Sequence, residues 1–143
     1  MKILVLQGPN LNLIGVQSAQ KDKRITLDKI NSALRRLTRN RSIELKVLQT
    51  HRIEKAISFL QRNRNQAQGL LLAPMAWGRY ELSLLETLNL VQLPVVQVLF
   101  DEEFGFGPTA GESIFTANCD ATVEGPPESV FEVGLEALID NIQ

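Results

Sequence analysis

The sequence holds one cysteine, Cys119, one histidine, His51, one tryptophan, Trp77, and one tyrosine, Tyr80. A lone thiol excludes an intramolecular disulfide framework and any multi-cysteine zinc site. Cys119 stands beside Asp120 with no adjacent base in sequence, so it reads as packing. No G-x-x-x-x-G-K-[ST], G-x-G-x-x-G or H-E-x-x-H pattern occurs, so no cofactor and no metal is expected. No apolar run approaches the ~20 residues of a membrane span. The opening run, Met1 to Gln7, is too short for a signal-peptide core, so a cytoplasmic chain with no membrane partner is the expectation. Basic residues nearly vanish from the second half: after residue 72 only Arg79 remains, against 12 acidic residues. Residues 1–72 hold 14 Lys and Arg against 4 Asp and Glu. The formal net charge of −1 therefore conceals two oppositely charged halves. Such a split fits either a nucleic-acid face or opposite faces that meet in an assembly. The basic residues fall on two helical patterns and a loop without interleaved stacking aromatics, so nucleic acid is not the expected partner.

What is present is ordinary for a globular domain: 143 residues, 44% hydrophobic and 22% charged. One domain, residues 1–143, is expected, burying roughly 68–70% of the unfolded chain's surface. Ile3-Leu4-Val5-Leu6 is a continuous apolar run, the pattern of a strand covered on both faces. A loop then runs from Gly8 to about Ile25. Thr26 suits the N-cap of a helix reaching Arg39, with Leu27, Ile30, Leu34 and Leu37 at helical spacing. Ile43 to Leu48 alternates at first, as a strand near an edge does. A helix follows with Ile53, Ala56, Ile57 and Leu60 on one face. Gly69 to Ala73 reads as a fully buried strand, stopped by Pro74. The next helix carries Leu82, Leu85 and Leu88 as its stripe. Pro94 opens a strand, Val95 to Phe100, and residues 104–111 form a Gly-rich loop. A short strand, Ala121 to Glu124, precedes a last helix with Pro127 in its first turn and Phe131, Leu135, Leu138 and Ile142 as its stripe. This alternation predicts an α/β fold with a doubly wound parallel sheet. Ligands of such sheets bind at the carboxyl ends of the strands. Here those ends are residues 8–12, 49–52, 73–80 and 99–103.

At these ends the chain resembles a known family. Gln7-Gly8-Pro9-Asn10-Leu11-Asn12-Leu13-Ile14-Gly15 is similar to the N-G-P-N-L-N-L-L-G opening of type II 3-dehydroquinate dehydratases. The likeness continues through Thr26-Leu27, Gln49-Thr50-His51, Ala73 to Trp77 and Pro94 to Leu99, and ends at Gly125. It implies a flavodoxin-like three-layer α/β/α domain with a five-stranded parallel sheet in order 2-1-3-4-5. It also implies a homo-oligomer, with a trimer-based dodecamer as the family form.

The family's chemistry is dehydration through an enolate, with a tyrosine base kept reactive by an arginine, a histidine acid and hydrogen-bonding asparagines. Carried onto this chain, the arginine falls at Gln17 and the tyrosine at Asp22. The asparagine ending the third strand falls at Ala73, and a binding histidine at Arg79. The E-V-H segment becomes Gln97-Val98-Leu99, and the arginine of R-E-E-F-R falls at Ala110. Among the polar pocket positions only Asn10 and Gln49 remain. No catalytic residue is therefore assigned. The degenerate pocket is expected to hold Asn10, Gln49, His51, Arg52, Trp77 and Arg79. Trp, Tyr and Arg are enriched at binding hot spots, so Trp77 and Tyr80 are candidates for a partner surface, unless Trp77 packs under the loop. Phe104 and Phe106 join them as a lid, as an aromatic knob for a partner, or simply as anchors of the Gly-rich loop. The main expectation is a catalytically inactive relative working as a structural, regulatory or partner-binding oligomer, self-associated or bound to another protein. The alternatives are a small-anion binder or enzyme with a rebuilt pocket, and a residual dehydratase of the shikimate pathway.

Overall fold

The computed structural model describes residues 1–143. Five strands, β1 (Lys2–Gln7), β2 (Glu44–Gln49), β3 (Gly69–Ala73), β4 (Val95–Phe100) and β5 (Ala121–Gly125), form one parallel sheet in the order β2-β1-β3-β4-β5. The apolar runs occupy the centre, as a strand covered on both faces requires: every residue of β3 and β4 is buried, whereas β2 alternates and lies at the edge.

Helices cover both faces. On one, α2 (Leu27–Thr38) and α6 (Val130–Ile142) pack over Ile3, Val5, Leu71, Val96, Val98 and Phe100. On the other, α3 (Ile53–Asn63) and α5 (Leu82–Val91) cover Leu4, Leu6, Leu70, Leu72 and Val95. Thr26 caps α2 as expected, its hydroxyl accepting from the Lys29 amide at 3.2 Å. α6 sits so close to the sheet that a Cβ on Gly134 would lie 2.7 Å from the Val98 side chain. Two salt bridges join the basic half to the acidic one at the α2–α6 face, Lys23–Glu128 and Arg41–Glu136.

Three local expectations need correction. Residues 11–19 are not loop: a 3-10 turn (Leu11–Leu13) runs into α1 (Ile14–Ala19). Leu11 and Ile14 are buried three residues apart, and the Ser18 hydroxyl receives the Ile25 amide and donates back to the Ile25 carbonyl. In α5 the buried leucines are Leu84 and Leu88, and Leu82 is 66% exposed. α6 begins only at Val130, so Pro127 lies in the turn before it. No helix is long and apolar enough to cross a membrane.

Candidate functional site

The strand order reverses between β1 and β3, so the crevice of a doubly wound sheet should open above Gly8 and Ala73. Here the two strands stay joined past their ends, the Gly8 amide donating to the Ala73 carbonyl at 2.9 Å. Trp77 opens α4 (Trp77–Tyr80), with its amide on the Pro74 carbonyl at 3.1 Å. Its indole is 2% exposed and packs with the α3/α5 core. A Cβ at Gly8 would collide with the Pro74 carbonyl oxygen and press on the indole, so only glycine passes beneath it. Trp77 thus roofs the switch point.

Three of the expected residues gather beside this roof. Asn10 adopts a left-handed conformation (φ 71°), and its backbone N–H donates to His51 Nδ1, 3.4 Å away. Gln49 Nε2 donates to the Gly8 carbonyl at 3.0 Å. The other two cations turn aside. Arg52 Nε binds Glu54 at 2.8 Å on the surface. Arg79 reaches Glu112 and the Gly107 carbonyl, both at 3.2 Å, and so ties down the Gly-rich loop. The Glu112 carboxyl also accepts the Thr109 amide, and these partners, Thr109 first and Arg79 after it, hold it below the usual carboxylate range. A depressed carboxyl stabilises the fold above its unfolded pKa and loses that contribution as pH falls through the folded value. Protection factors of the amides across 105–112, taken relative to the intrinsic exchange rate at each pH, should therefore fall in acid, and fall in a Glu112→Gln variant at neutral pH; unchanged protection in both would show that the pair does not hold the loop.

The aromatics read as partner-facing divide. Tyr80 is exposed. Trp77 and Phe104 are buried and Phe106 half-buried, which corrects the partner-facing expectation and leaves Trp77 as packing and the two phenylalanines as anchors of the loop. Phe104 and Phe106 close on Phe100 with ring centroids at 5.6 and 6.0 Å, and Phe131 lies 6.0 Å from Phe100 on its other flank. Positive φ at Gly105 and Gly107 lets the loop fold these rings inward.

Two buried glutamines carry structure that the sequence reading passed over. Gln97, fully buried in β4, donates through Nε2 to Thr116 Oγ1 at 3.1 Å and Thr122 Oγ1 at 3.0 Å, and accepts from the Ser113 hydroxyl. It therefore fastens the segment after the Gly-rich loop onto the sheet. Gln7 donates to Asn31 Oδ1 at 2.8 Å and leaves its own Oε1 buried without a partner. A polar residue inside an apolar strand run was the available signal for both. Cys119 is half-buried, and burial, with Asp120 adding to it, pushes its thiol up to about 12. It is no thiolate nucleophile at neutral pH.

Leu99 and Ala73 are 3% and 1% exposed at the ends of β4 and β3. Gln17 Nε2 donates to the Phe104 carbonyl at 3.1 Å, and Asp22 sits in an exposed turn with φ 56°. Clefts of 530, 590 and 540 Å³ open elsewhere, between α2 and α6, beside Met1 and β2, and between β2 and α3.

Residues 1–139 match the family model described as "Dehydroquinase class II". The chain belongs to the class II dehydroquinase family. A 3-dehydroquinate dehydratase of Carboxydothermus hydrogenoformans is 29% identical over 143 residues, all of this chain and 93% of that protein. One of Geotalea daltonii is 34% identical over 98 residues, 68% of each chain. Among solved structures, a type II dehydroquinase from Butyrivibrio crossotus superposes with a TM-score of 0.84 at 20% identity, covering 97% of both chains. The expected order 2-1-3-4-5 and the flavodoxin-like layering are those of this family's fold.

Proposed function

We propose that this dehydroquinase-family chain has given up dehydration and acts by binding, as an oligomer. The observation that carries this reading is the end of β4: where the family pattern has its histidine acid, Leu99 is packed and can neither give nor take a proton. Loss of one acid or base costs typically about 10²–10⁴ in rate. Here the acid, the base position (Asp22) and its activator position (Gln17) all differ, and Gln17 spends its side-chain amide on the Phe104 carbonyl instead. Purified protein at high concentration, given 3-dehydroquinate, should form no dehydration product above the blank. Turnover would overturn the reading. Leu99→His should not restore activity either, because groups that act as a unit fail together. Recovery from that one change would show the roles to be placed wrongly.

The relatives favour a second reading, since those matched carry the name 3-dehydroquinate dehydratase. Asn10, Gln49 and His51, gathered at Gly8, are the residues it would have to use, and the same assay decides. Self-association is supported by α5, whose outward face leaves Leu82 and Leu90 66% and 75% exposed. A helix apolar on both faces is normally covered on both. Light scattering at moderate salt should find an oligomer, trimeric or larger, and a stable 16 kDa monomer at micromolar concentration would remove that part of the proposal.

A further inference from the structure

The groove between β2 and α3 combines an open strand edge with a basic wall. β2 ends the sheet, pairing only with β1. On the β1 side, the amides of Glu44 and Thr50 donate to the carbonyls of Met1, just before β1, and Gln7, at its end. By the alternation of a parallel strand, the N–H and C=O groups of Leu45, Val47 and Gln49 then point away from the sheet with no strand to meet them. Beside this edge, a 540 Å³ cleft is lined by Lys46, Arg52, Lys55 and Arg62, with Leu48 and Phe59 at its floor. Its one acid, Glu54, is already taken by Arg52.

The wall is built rather than incidental. Asn63 is nearly fully buried; its Nδ2 donates to the Phe59 carbonyl at 2.7 Å, and its Oδ1 receives Lys46 Nζ at 3.2 Å. That bond holds Lys46 over the cleft. Arg52, Lys55 and Arg62 follow one side of α3, and a rise of 1.5 Å per residue spreads them over about 15 Å. A five-residue extended segment has about the same length.

We propose that this groove binds an extended acidic peptide of a partner protein, which adds a strand to the β2 edge and places alternate carboxylates against Lys46, Lys55 and Arg62. Main-chain pairing of this kind supplies affinity while alternate side chains supply selection. The residues between the carboxylates would lie on the α2 side, against the half-buried Leu45 and Val47, so an acidic–apolar alternation is the expected sequence. A second copy of the chain does not fit: pairing β2 with β2 would set one basic wall beside another, and like charges juxtaposed cost several kcal/mol. Single-stranded nucleic acid fits less well, because the groove's one aromatic, Phe59, is half-buried in its floor, and a phosphodiester can accept from the edge N–H groups but has no donor for the edge carbonyls. The proposal is independent of whether dehydration is lost, since neither Lys55 nor Arg62 belongs to the strand-end site.

The test uses a fluorescein-labelled Glu-Val-Glu-Val-Glu-Val peptide, titrated with the full chain by anisotropy. Three comparisons accompany it: the same peptide N-methylated at alternate amides, a Glu-Glu-Glu-Val-Val-Val block isomer, and an oligothymidylate of equal charge. The alternating peptide should bind, and N-methylation or the block order should weaken it tenfold or more. Lys55→Glu with Arg62→Glu should do the same in a variant whose circular dichroism is unchanged. Amides of Leu45, Val47 and Gln49 should slow in hydrogen exchange when the peptide is added. Absence of binding overturns the proposal, as does binding that ignores N-methylation or is matched by the oligonucleotide, which would leave only a cationic surface.

Discussion

Replacing Trp77 by alanine should remove about 3–5 kcal/mol of folding stability, the usual cost of deleting a buried tryptophan or phenylalanine side chain. A domain of this kind has roughly 5–15 kcal/mol in all, so the variant should unfold on the order of 10 °C earlier. The large value follows from position. The indole lies between the end of β1, where Gly8 leaves no room for a side chain, and the core that Leu6, Leu72, Leu84 and Phe115 share. Neither wall can follow the deletion inward, because Gly8 is bonded to Ala73 and Gly78 accepts the Ile114 amide at 2.8 Å. Since the only tryptophan is lost, the transition has to be followed by circular dichroism in urea. Trp77→Phe, keeping an aromatic ring, should cost much less. If Trp77→Ala costs under 1 kcal/mol, the roof is loose, and the crevice at the switch point is open enough to admit a ligand.

Trp77 and Arg79 also show what sequence can and cannot tell about this site. Both stand in the segment after β3, where a ligand crevice should be, and their residue types suit binding. The sequence does not reveal which way each points. Trp77 turns inward over a glycine 69 positions earlier, and Arg79 turns outward to a glutamate 33 positions later. Such long-range choices are made by packing and leave no local trace. The strands were legible for a simpler reason. A run such as Gly69-Leu70-Leu71-Leu72-Ala73 is compatible only with burial on both faces, and β2 betrays its edge by alternation. The helices lie between these extremes. Leucines at 82, 84, 85, 88 and 90 are too dense for periodicity to choose a face, and contact with α3 chose Leu84 and Leu88. α1 escaped notice because its side-chain bond runs from Ser18 to Ile25, outside the helix itself. The family resemblance carried topology where periodicity could not, since strand order has no signature in hydropathy.

The second large effect is conditional on pH. Gln97→Glu changes the amide of a fully buried side chain into a group that can ionise, at the position where the family pattern has its own glutamate. At about pH 4 the protonated carboxyl is nearly isosteric. Its carbonyl oxygen can keep the Ser113 hydroxyl, and its O–H can serve one of the two threonines that Nε2 now serves. The loss there should be about 1 kcal/mol, the net worth of one hydrogen bond. As pH rises, the unfolded chain releases its proton near pKa 4.3. In the fold, desolvation opposes the charge, and Thr116 cannot readily turn to help because its hydroxyl already donates to the Ala110 carbonyl at 2.7 Å. The folded pKa is therefore raised, the folded state holds more protons than the unfolded one, and stability falls as pH climbs from the unfolded value to the folded one. Each unit of that rise costs 1.36 kcal/mol, so the variant should be weaker than the parent chain by roughly 2–4 kcal/mol at pH 7. Paired urea titrations at pH 4 and pH 7 measure this directly, because groups common to both proteins cancel in the difference. A difference that does not change with pH would mean that the carboxylate finds water or donors at β4. The strand end would then be polar enough to serve an enolate reaction, and the case for a sealed, non-dehydrating site would fall with it.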